Sequence, residues 1–194
     1  LDAPVQRYLP MWTGPWKADV TVRHLLTHSS GLPSWRPLYK EATSPAQARA
    51  LVLATPLDTL PGVRMVYSDI GALLLGEIVT RVAGEPFNAL VTREVFSPLA
   101  MRETTWLPAP STRARIAPTE VDPWRQRHLR GEVHDENAYA LGGIAAHAGL
   151  FSTAADLSRL ARMYLQYGQL DGARVLDSAT IARFTSRPDA SLSN

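Results

Sequence analysis

The sequence has 194 residues, of which 45% are hydrophobic and 20% are charged, and its formal net charge is +2. A single domain of this length can bury roughly 70% of the surface of its unfolded chain. The small charge argues against nucleic acid as a partner, and the densest basic group, Arg125, Arg127 and Arg130, is expected to lie in a solvated loop. The absence of cysteine excludes disulfides, thiolate catalysis and cysteine-ligated zinc. No apolar run approaches the ~18 residues that a membrane-spanning helix needs.

The first twenty residues are rich in proline and tryptophan, and we expect residues 1–20 to be an irregular connector. The chain starts with Leu1 and its first residues do not resemble a signal peptide. We therefore expect it to be a piece of a longer protein.

Two helices are predicted in the first half of the chain before residue 60. Residues 21–26 can form one or two helical turns, and residues 27–33 are rich in the polar and glycine residues that make loops. Ser44, Pro45 and Gln47 provide an N-cap, a first helical residue and a capping partner for a helix that reaches about Ala54.

A longer helix is predicted from Asp69, where apolar residues recur at helical spacing on one face until Gly84 supplies the stop. The apolar face consists of Ile70, Leu73, Leu74, Ile78 and Val82. Pro86 is expected to open another helix that runs to about Val95.

The second half of the chain has a long proline-rich region and then two helices. Residues 104–149 show little periodicity and are expected to form long loops bordering a cleft. Thr153 caps a helix that ends by Gly168 and whose buried stripe is expected to be Leu157, Leu160, Ala161 and Tyr164. After a turn at Asp171-Gly172, a last helix is predicted near residues 178–185.

Tyr67, Ser68 and Asp69 stand at the start of the helix that follows residue 69. A tyrosine can act as a base at neutral pH only beside a cation or donor that favours its phenolate. Taken alone, these residues allow two interpretations: a proton shuttle, or a half-buried aromatic residue followed by Asp69 as the N-cap of the helix.

Three stretches of the sequence carry recognisable motifs: Val20-Thr21-Val22-Arg23-His24-Leu25-Leu26-Thr27-His28-Ser29-Ser30-Gly31-Leu32-Pro33, the run from Pro61-Gly62 to Tyr67-Ser68-Asp69, and the run from Gly142-Gly143 to Leu157. Together they resemble the serine beta-lactamase-related family, which includes class C beta-lactamases, DD-peptidases and related esterases. The stretches follow one another in the order typical of the family. The resemblance implies a mainly α chain: the helical lobe and cleft loops of an α+β fold whose central antiparallel sheet is largely missing, with residues 1–194 as a single partial domain.

The resemblance also implies a mechanism. In this family the nucleophile is the serine of an S-x-x-K motif, the second motif is tyrosine-x-asparagine, and a K-T-G-like triplet lies on a strand edge. Tyr67 would take the serine proton during acyl transfer to an amide or ester, and Asp69 occupies the asparagine position. An aspartate retains an acceptor for the lysine but loses the amide donor and adds a negative charge.

The first motif is absent from the sequence. Its two lysines, Lys17 and Lys40, are preceded three residues earlier by Gly14 and Pro37. The resemblance places S-x-x-K before Leu1 and the K-T-G-like strand after Asn194, so the expected partners are these missing segments and a small-molecule or peptide substrate. The isolated chain is expected to be inactive.

Four further residues are candidates for substrate binding because their segments resemble a loop that borders the cleft: His134, Asp135, His147 and Gly149. His134 could pair with Asp135, and His147 could face the substrate, although both histidines could instead hold the loop in place.

No metal or other cofactor is expected. His24 and His28 have the i, i+4 spacing of a zinc site that Asp135 and His147 could complete, but no glutamate follows His24 and a loop begins at His28. The alternative functions are a non-catalytic lobe that binds a ligand or partner and an unrelated helical interaction domain. A cell-envelope or secreted location rests on the family resemblance alone.

Overall fold

The computed structural model of the protein describes residues 1–186. The α-helices are α1 (Val22–Leu26), α2 (Leu38–Glu41), α3 (Pro45–Ala54), α4 (Asp69–Ala83), α5 (Phe87–Val91), α6 (Glu136–Ala140), α7 (Ala154–Leu165) and α8 (Ser178–Thr185). The strands are β1 (Val121–Asp122), β2 (Arg127–His128), β3 (Gln169–Leu170) and β4 (Ala173–Arg174). Three 3-10 turns (Val5–Arg7, Lys17–Asp19 and Pro110–Arg115) and one π-helical turn (Thr92–Phe96) complete the regular elements.

The chain divides into two compact units. The first contains Leu1–Phe87 and Glu132–Gly149, and the second contains Asn88–Gly131 and the described residues from Leu150 onward. The sequence analysis treated residues 1–194 as a single partial domain and residues 104–149 as one loop region. The division at Gly131 instead assigns the two halves of that region to different units.

The first twenty residues are part of the core of the first unit. As expected, they contain no helix longer than a 3-10 turn, but Val5, Leu9, Trp12 and Val20 are all buried there. The backbone N–H of Val5 donates to Val20 O at 2.8 Å, which closes this segment on itself. The sequence did not predict this burial, because proline density reports the lack of regular hydrogen bonding and not the lack of burial.

Helix α4 supplies the apolar centre of the same core. Ile70, Leu73, Leu74 and Ile78 are buried as predicted, whereas Val82 is 65% exposed near the end of the helix. Gly84 ends the helix in the left-handed conformation, with φ of 69°. The N-cap is Ser68 and not Asp69, which is the first helical residue, so the interpretation of Asp69 as the N-cap is wrong.

The other predicted helices of the first unit are present. Ser44 caps α3 by accepting the Gln47 backbone N–H at 3.2 Å, and the Gln47 side chain accepts the backbone N–H of Thr43. Residues 27–33 form a loop, as the sequence predicts.

In the second unit, α7 docks through polar side chains as well as through Met163, which is buried. Asp156 accepts the backbone N–H of Glu103 at 2.8 Å, and Arg159 donates to the Leu99 carbonyl. The predicted buried stripe is wrong, since Leu157 is 53% exposed and Tyr164 is 42% exposed. Apolar periodicity could not indicate the packed face of α7, because that face binds backbone groups through the polar side chains of Asp156 and Arg159.

The region 104–149 contains more regular structure than its proline content suggests. It includes a 3-10 turn, the antiparallel pair β1–β2 and helix α6. Arg125 does not lie in solvent, because its side chain is only 5% exposed and pairs with the buried carboxylate of Asp122.

Helices dominate the described part of the chain, where the paired strands form two short antiparallel hairpins. Within residues 1–186, none of the helices combines the length and the apolar character required to cross a bilayer.

Candidate active site

Tyr67 lies on an extended segment that is hydrogen-bonded to the loop at residues 28–34. The Ser68 hydroxyl donates to Pro33 O at 2.7 Å and accepts the Gly71 backbone N–H at 3.1 Å. The Asp69 N–H donates to Ser34 O at 2.9 Å. Ser68 therefore caps α4 and joins it to the loop with one side chain that is 1% exposed.

The loop at residues 28–34 packs so closely against the backbone at Thr59 that position 31 requires glycine. Gly31 has φ of 81°, and a Cβ at this position would lie 2.1 Å from the carbonyl oxygen of Thr59. The Gly31 carbonyl accepts the Asp58 N–H at 2.8 Å. This contact anchors the loop on its other side.

His28 connects this loop directly to Tyr67. Its carbonyl accepts the Val66 N–H at 2.8 Å, and its Nδ1 accepts the Ser68 N–H at 3.1 Å. Its ring centroid lies 4.7 Å from that of Tyr67. Burial lowers the pKa of His28, and the nearby carboxylate of Asp69 opposes this effect only in part.

The phenol of Tyr67 points away from the core of the unit. The residue is 67% exposed, while its neighbour Ser68 is buried. A backbone held at Val66, Ser68 and Asp69 thus presents one accessible phenol at a defined place, which is what a proton shuttle requires.

Asp135 and His147 form the second part of the site. Their Oδ1 and Nε2 atoms lie 3.0 Å apart, and the side chains are 24% and 3% exposed. Burial alone would raise the pKa of Asp135, but the hydrogen bonds from His147 and from the Ala138 N–H at 2.7 Å outweigh it and lower the pKa. His147 Nδ1 is buried and has no hydrogen-bond partner among the described residues.

Asp69 lies beside this pair. One side-chain ligand atom from each of Asp69, Asp135 and His147 lies within 4.8 Å of the others. Burial raises the pKa of Asp69, and the charge of Asp135 adds to this, whereas His147 and His28 oppose it. The structure therefore brings the predicted residues Asp69, Asp135 and His147 into one acid–base cluster.

The same three atoms are close enough to share a metal ion. The set differs from the one that the sequence suggested, because neither His24 nor His28 belongs to it. We assign no metal, since a hydrogen-bonded aspartate–histidine pair beside a second carboxylate is equally the arrangement of an acid–base network.

The two remaining predicted residues lie near the cluster in sequence. His134 is exposed, and His147 is an imidazole that pairs with Asp135. Gly149 has φ of 104° and ends the segment that carries His147.

A close contact with α4 positions that segment. A Cβ on Gly76 would lie 2.7 Å from the Cβ of Ala146, so the helix and the segment pack without a side chain between them. The sequence analysis assigned no role to Gly76 or Ala146.

A cavity of about 640 Å³ lies in the second unit, lined by residues that include Arg102, Arg115, Ile116 and Phe151. The guanidinium of Arg115 pairs with Glu103 at 2.5 Å. None of the predicted site residues lines this cavity.

The sequence of the chain matches the profile of the Beta-lactamase family over residues 1–192, and the chain belongs to this family. It is 30% identical to an Escherichia coli K12 protein named as a D-alanyl-D-alanine carboxypeptidase, over 97% of this chain and 50% of that protein. It is 34% identical to an N-acetylmuramyl-L-alanine amidase of Bacillus subtilis 168, over 88% of this chain and 43% of the amidase.

The fold is similar to that of a class C beta-lactamase, with a TM-score of 0.70 and 24% identity over 95% of this chain and 46% of that structure. The chain spans about half the length of the curated relatives it matches. The predicted resemblance to beta-lactamases and penicillin-binding proteins is confirmed.

Proposed function

We propose that the chain is the helical lobe of a serine hydrolase that acts by acyl transfer, with Tyr67 as its proton shuttle. The observation that carries the proposal is the geometry of Tyr67: an exposed phenol on a backbone hydrogen-bonded on both sides. Membership of the Beta-lactamase family supports the class of reaction.

The reaction needs a serine that this sequence does not carry in an S-x-x-K motif. When that hydroxyl attacks the substrate carbonyl carbon, the oxygen of Tyr67 takes its proton, with the lysine of the same S-x-x-K motif as the cation that such a base needs. The same proton passes to the leaving group as the scissile bond breaks, which leaves an acyl-enzyme that water hydrolyses.

The cluster of Asp69, Asp135 and His147 is proposed to contact the substrate beside the scissile bond. His134 and Gly149 belong to the same candidate surface. Two of the relatives named above are a carboxypeptidase and an amidase, which favours an amide over an ester as the substrate. A D-Ala-D-Ala peptide and a beta-lactam both contain such a bond.

A fluorescent penicillin tests the proposal. A full-length protein containing S-x-x-K should become labelled, the isolated chain should not, and the Tyr67→Phe variant of the full-length protein should label ~10²–10⁴ times more slowly. Because Tyr67 is exposed, the substitution should change the free energy of unfolding of the protein by less than ~0.5 kcal/mol.

The second candidate is a non-catalytic lobe that binds a peptide or partner, for which the side chains of Asp69, Asp135 and His147 would supply the polar contacts. Labelling of the isolated chain would contradict the requirement for a serine outside it. Absence of labelling and of peptide hydrolysis in the full-length protein would favour the binding lobe.

A further inference from the structure

We propose that His28 is the residue that positions Tyr67, because its neutral imidazole accepts the Ser68 backbone N–H and its ring packs beside the phenol. This role of His28 rests on the proposed function in one respect, namely that Tyr67 moves a proton. His28 itself does not touch the substrate and acts through Tyr67.

Three contacts from one residue hold the segment that carries the tyrosine. The carbonyl of His28 takes the Val66 N–H, its Nδ1 takes the Ser68 N–H, and its ring lies against the ring of Tyr67. These contacts hold the residues on both sides of Tyr67 as well as its side chain. A rotation of the phenol would have to break the ring contact.

The hydrogen bond to Ser68 requires one protonation state of the imidazole. Nδ1 can accept only when it carries no proton, so His28 must be neutral with its proton on Nε2. Burial lowers the pKa of His28 and favours this state at neutral pH. Asp69 is the charged group with an electrostatic effect on His28 and opposes the shift in part.

The backbone of His28 limits which residues can replace it. Its φ is 54°, in the left-handed region, where asparagine is favoured among residues with a side chain and glycine has no steric penalty. The Oδ1 of an asparagine stands at nearly the same distance along the side chain as the Nδ1 of a histidine. His28→Asn therefore keeps an acceptor for Ser68, whereas His28→Gly keeps the backbone conformation and removes the acceptor.

The first experiment uses the chain of 194 residues and does not depend on catalysis. Long-range ¹⁵N–¹H spectra at pH 7.5 should show His28 with a bare Nδ1 and a protonated Nε2. The Ser68 amide should exchange slowly in the wild type and in His28→Asn but at least ~10-fold faster in His28→Gly, because an amide without its acceptor is open to solvent. A proton on Nδ1, or equal Ser68 exchange in all three proteins, would overturn the proposal.

The second experiment measures the rate of labelling by a fluorescent penicillin in the full-length protein. His28→Gly should slow labelling by ~10–100-fold, as expected for a misplaced catalytic group, and His28→Asn, which keeps the acceptor for Ser68 but loses the ring, should slow it less. In the Tyr67→Phe background, His28→Gly should have almost no further effect. An equal loss in both backgrounds would show that His28 does not act through Tyr67 and would overturn the proposal.

Thermal unfolding of each variant separates loss of positioning from loss of folding. If the full-length wild type is not labelled and does not hydrolyse the peptide, the proposed function fails, while the proton position and the Ser68 exchange still decide whether His28 holds this segment.

Discussion

Single residues determine how the candidate site is held, and Ser68 is the clearest case. Its hydroxyl caps α4 and also binds the carbonyl of Pro33 in the loop at residues 28–34. One buried side chain therefore links the start of the helix that follows Tyr67 to the loop that contains His28.

Replacement of Ser68 by alanine should lower the free energy of unfolding by about 2 kcal/mol, of which about 1 comes from the lost cap and the rest from the unpaired Pro33 carbonyl. Urea unfolding followed by circular dichroism measures this loss. Ser44→Ala is the matched control, because Ser44 is an exposed N-cap of α3 whose hydroxyl makes only the capping bond within residues 1–186, and it should cost about 1 kcal/mol. Equal losses in the two variants would contradict the linking role of Ser68.

The bond between Asp135 and His147 should make stability depend on pH. Asp135→Asn keeps an N-cap for α6 but removes the carboxylate, and it should cost about 1 kcal/mol at pH 6. The folded-state pKa of Asp135 is below its ordinary value of 3.8, so the wild type has extra stability above that pH and loses it as the pH falls through the folded-state pKa. The difference between wild type and variant should therefore be present at pH 6 and shrink as the pH falls below 3.8.

Urea midpoints across this pH range test the prediction. Ser44→Ala serves again as the control, since serine does not titrate and its difference from the wild type should not change with pH. A difference for Asp135→Asn that does not shrink as the pH falls below 3.8 would show that the carboxylate charge is not responsible.

At the scale of elements, the contact between α4 and the segment that carries His147 requires a residue without a side chain, Gly76, on the helix. Gly76 lies inside the helix, where alanine would ordinarily stabilise it by about 1 kcal/mol. The Cβ of Ala146 occupies the space that the new methyl group would need.

Gly76→Ala should therefore destabilise the protein by about 1–3 kcal/mol despite the better helix propensity. The double variant Gly76→Ala/Ala146→Gly moves the methyl group to the other side of the contact and should recover most of the loss. A double-mutant cycle by urea unfolding measures the coupling. Additive effects of the two substitutions would contradict the close packing of the two elements.

Helix α7 shows why element boundaries were easier to predict than element faces. Thr153 caps the helix and α7 starts at Ala154, as the sequence predicts. The face that packs is instead decided by Asp156 and Arg159, which bind backbone groups of residues 99–103. Capping depends on neighbours three residues apart, whereas these bonds join residues more than fifty positions apart.

At the scale of the whole molecule, the core of the first unit is built from distant parts of the sequence. Buried apolar residues come from residues 5–20, from α4 and from residues 133–145. The first segment therefore contributes to the core alongside the helices, although it contains only two 3-10 turns.

Two tryptophans in that segment test its place in the core. Trp12 is 0% exposed and Trp16 is 47% exposed. Trp12→Ala should cost about 3–5 kcal/mol, as for other large buried side chains, while Trp16→Ala should cost less than about 1 kcal/mol. Urea unfolding of the two variants is the measurement, and similar losses would contradict the burial of the segment.

The candidate site could be predicted from the sequence where its residues are close together in the chain. Tyr67 and Asp69 were found because they stand at the start of a strongly periodic helix and within motifs that resemble a known family. The sequence suggested the adjacent His134 as a partner of Asp135 and did not predict the bond from His147, which lies twelve residues away. His28 received only a role in an improbable zinc site, and the left-handed turn that aims its ring at Tyr67 was not visible in the sequence.

The sequence by itself determined the family, the starts and ends of most helices and the motif that contains Tyr67, because caps, helical stops and apolar repeats act over a few residues. Only the tertiary structure decided that residues 1–20 enter the core, that α7 docks through polar groups, and that Asp69 meets Asp135 and His147. These outcomes depend on contacts between residues far apart in the chain, and local patterns carry no information about which distant groups will be neighbours.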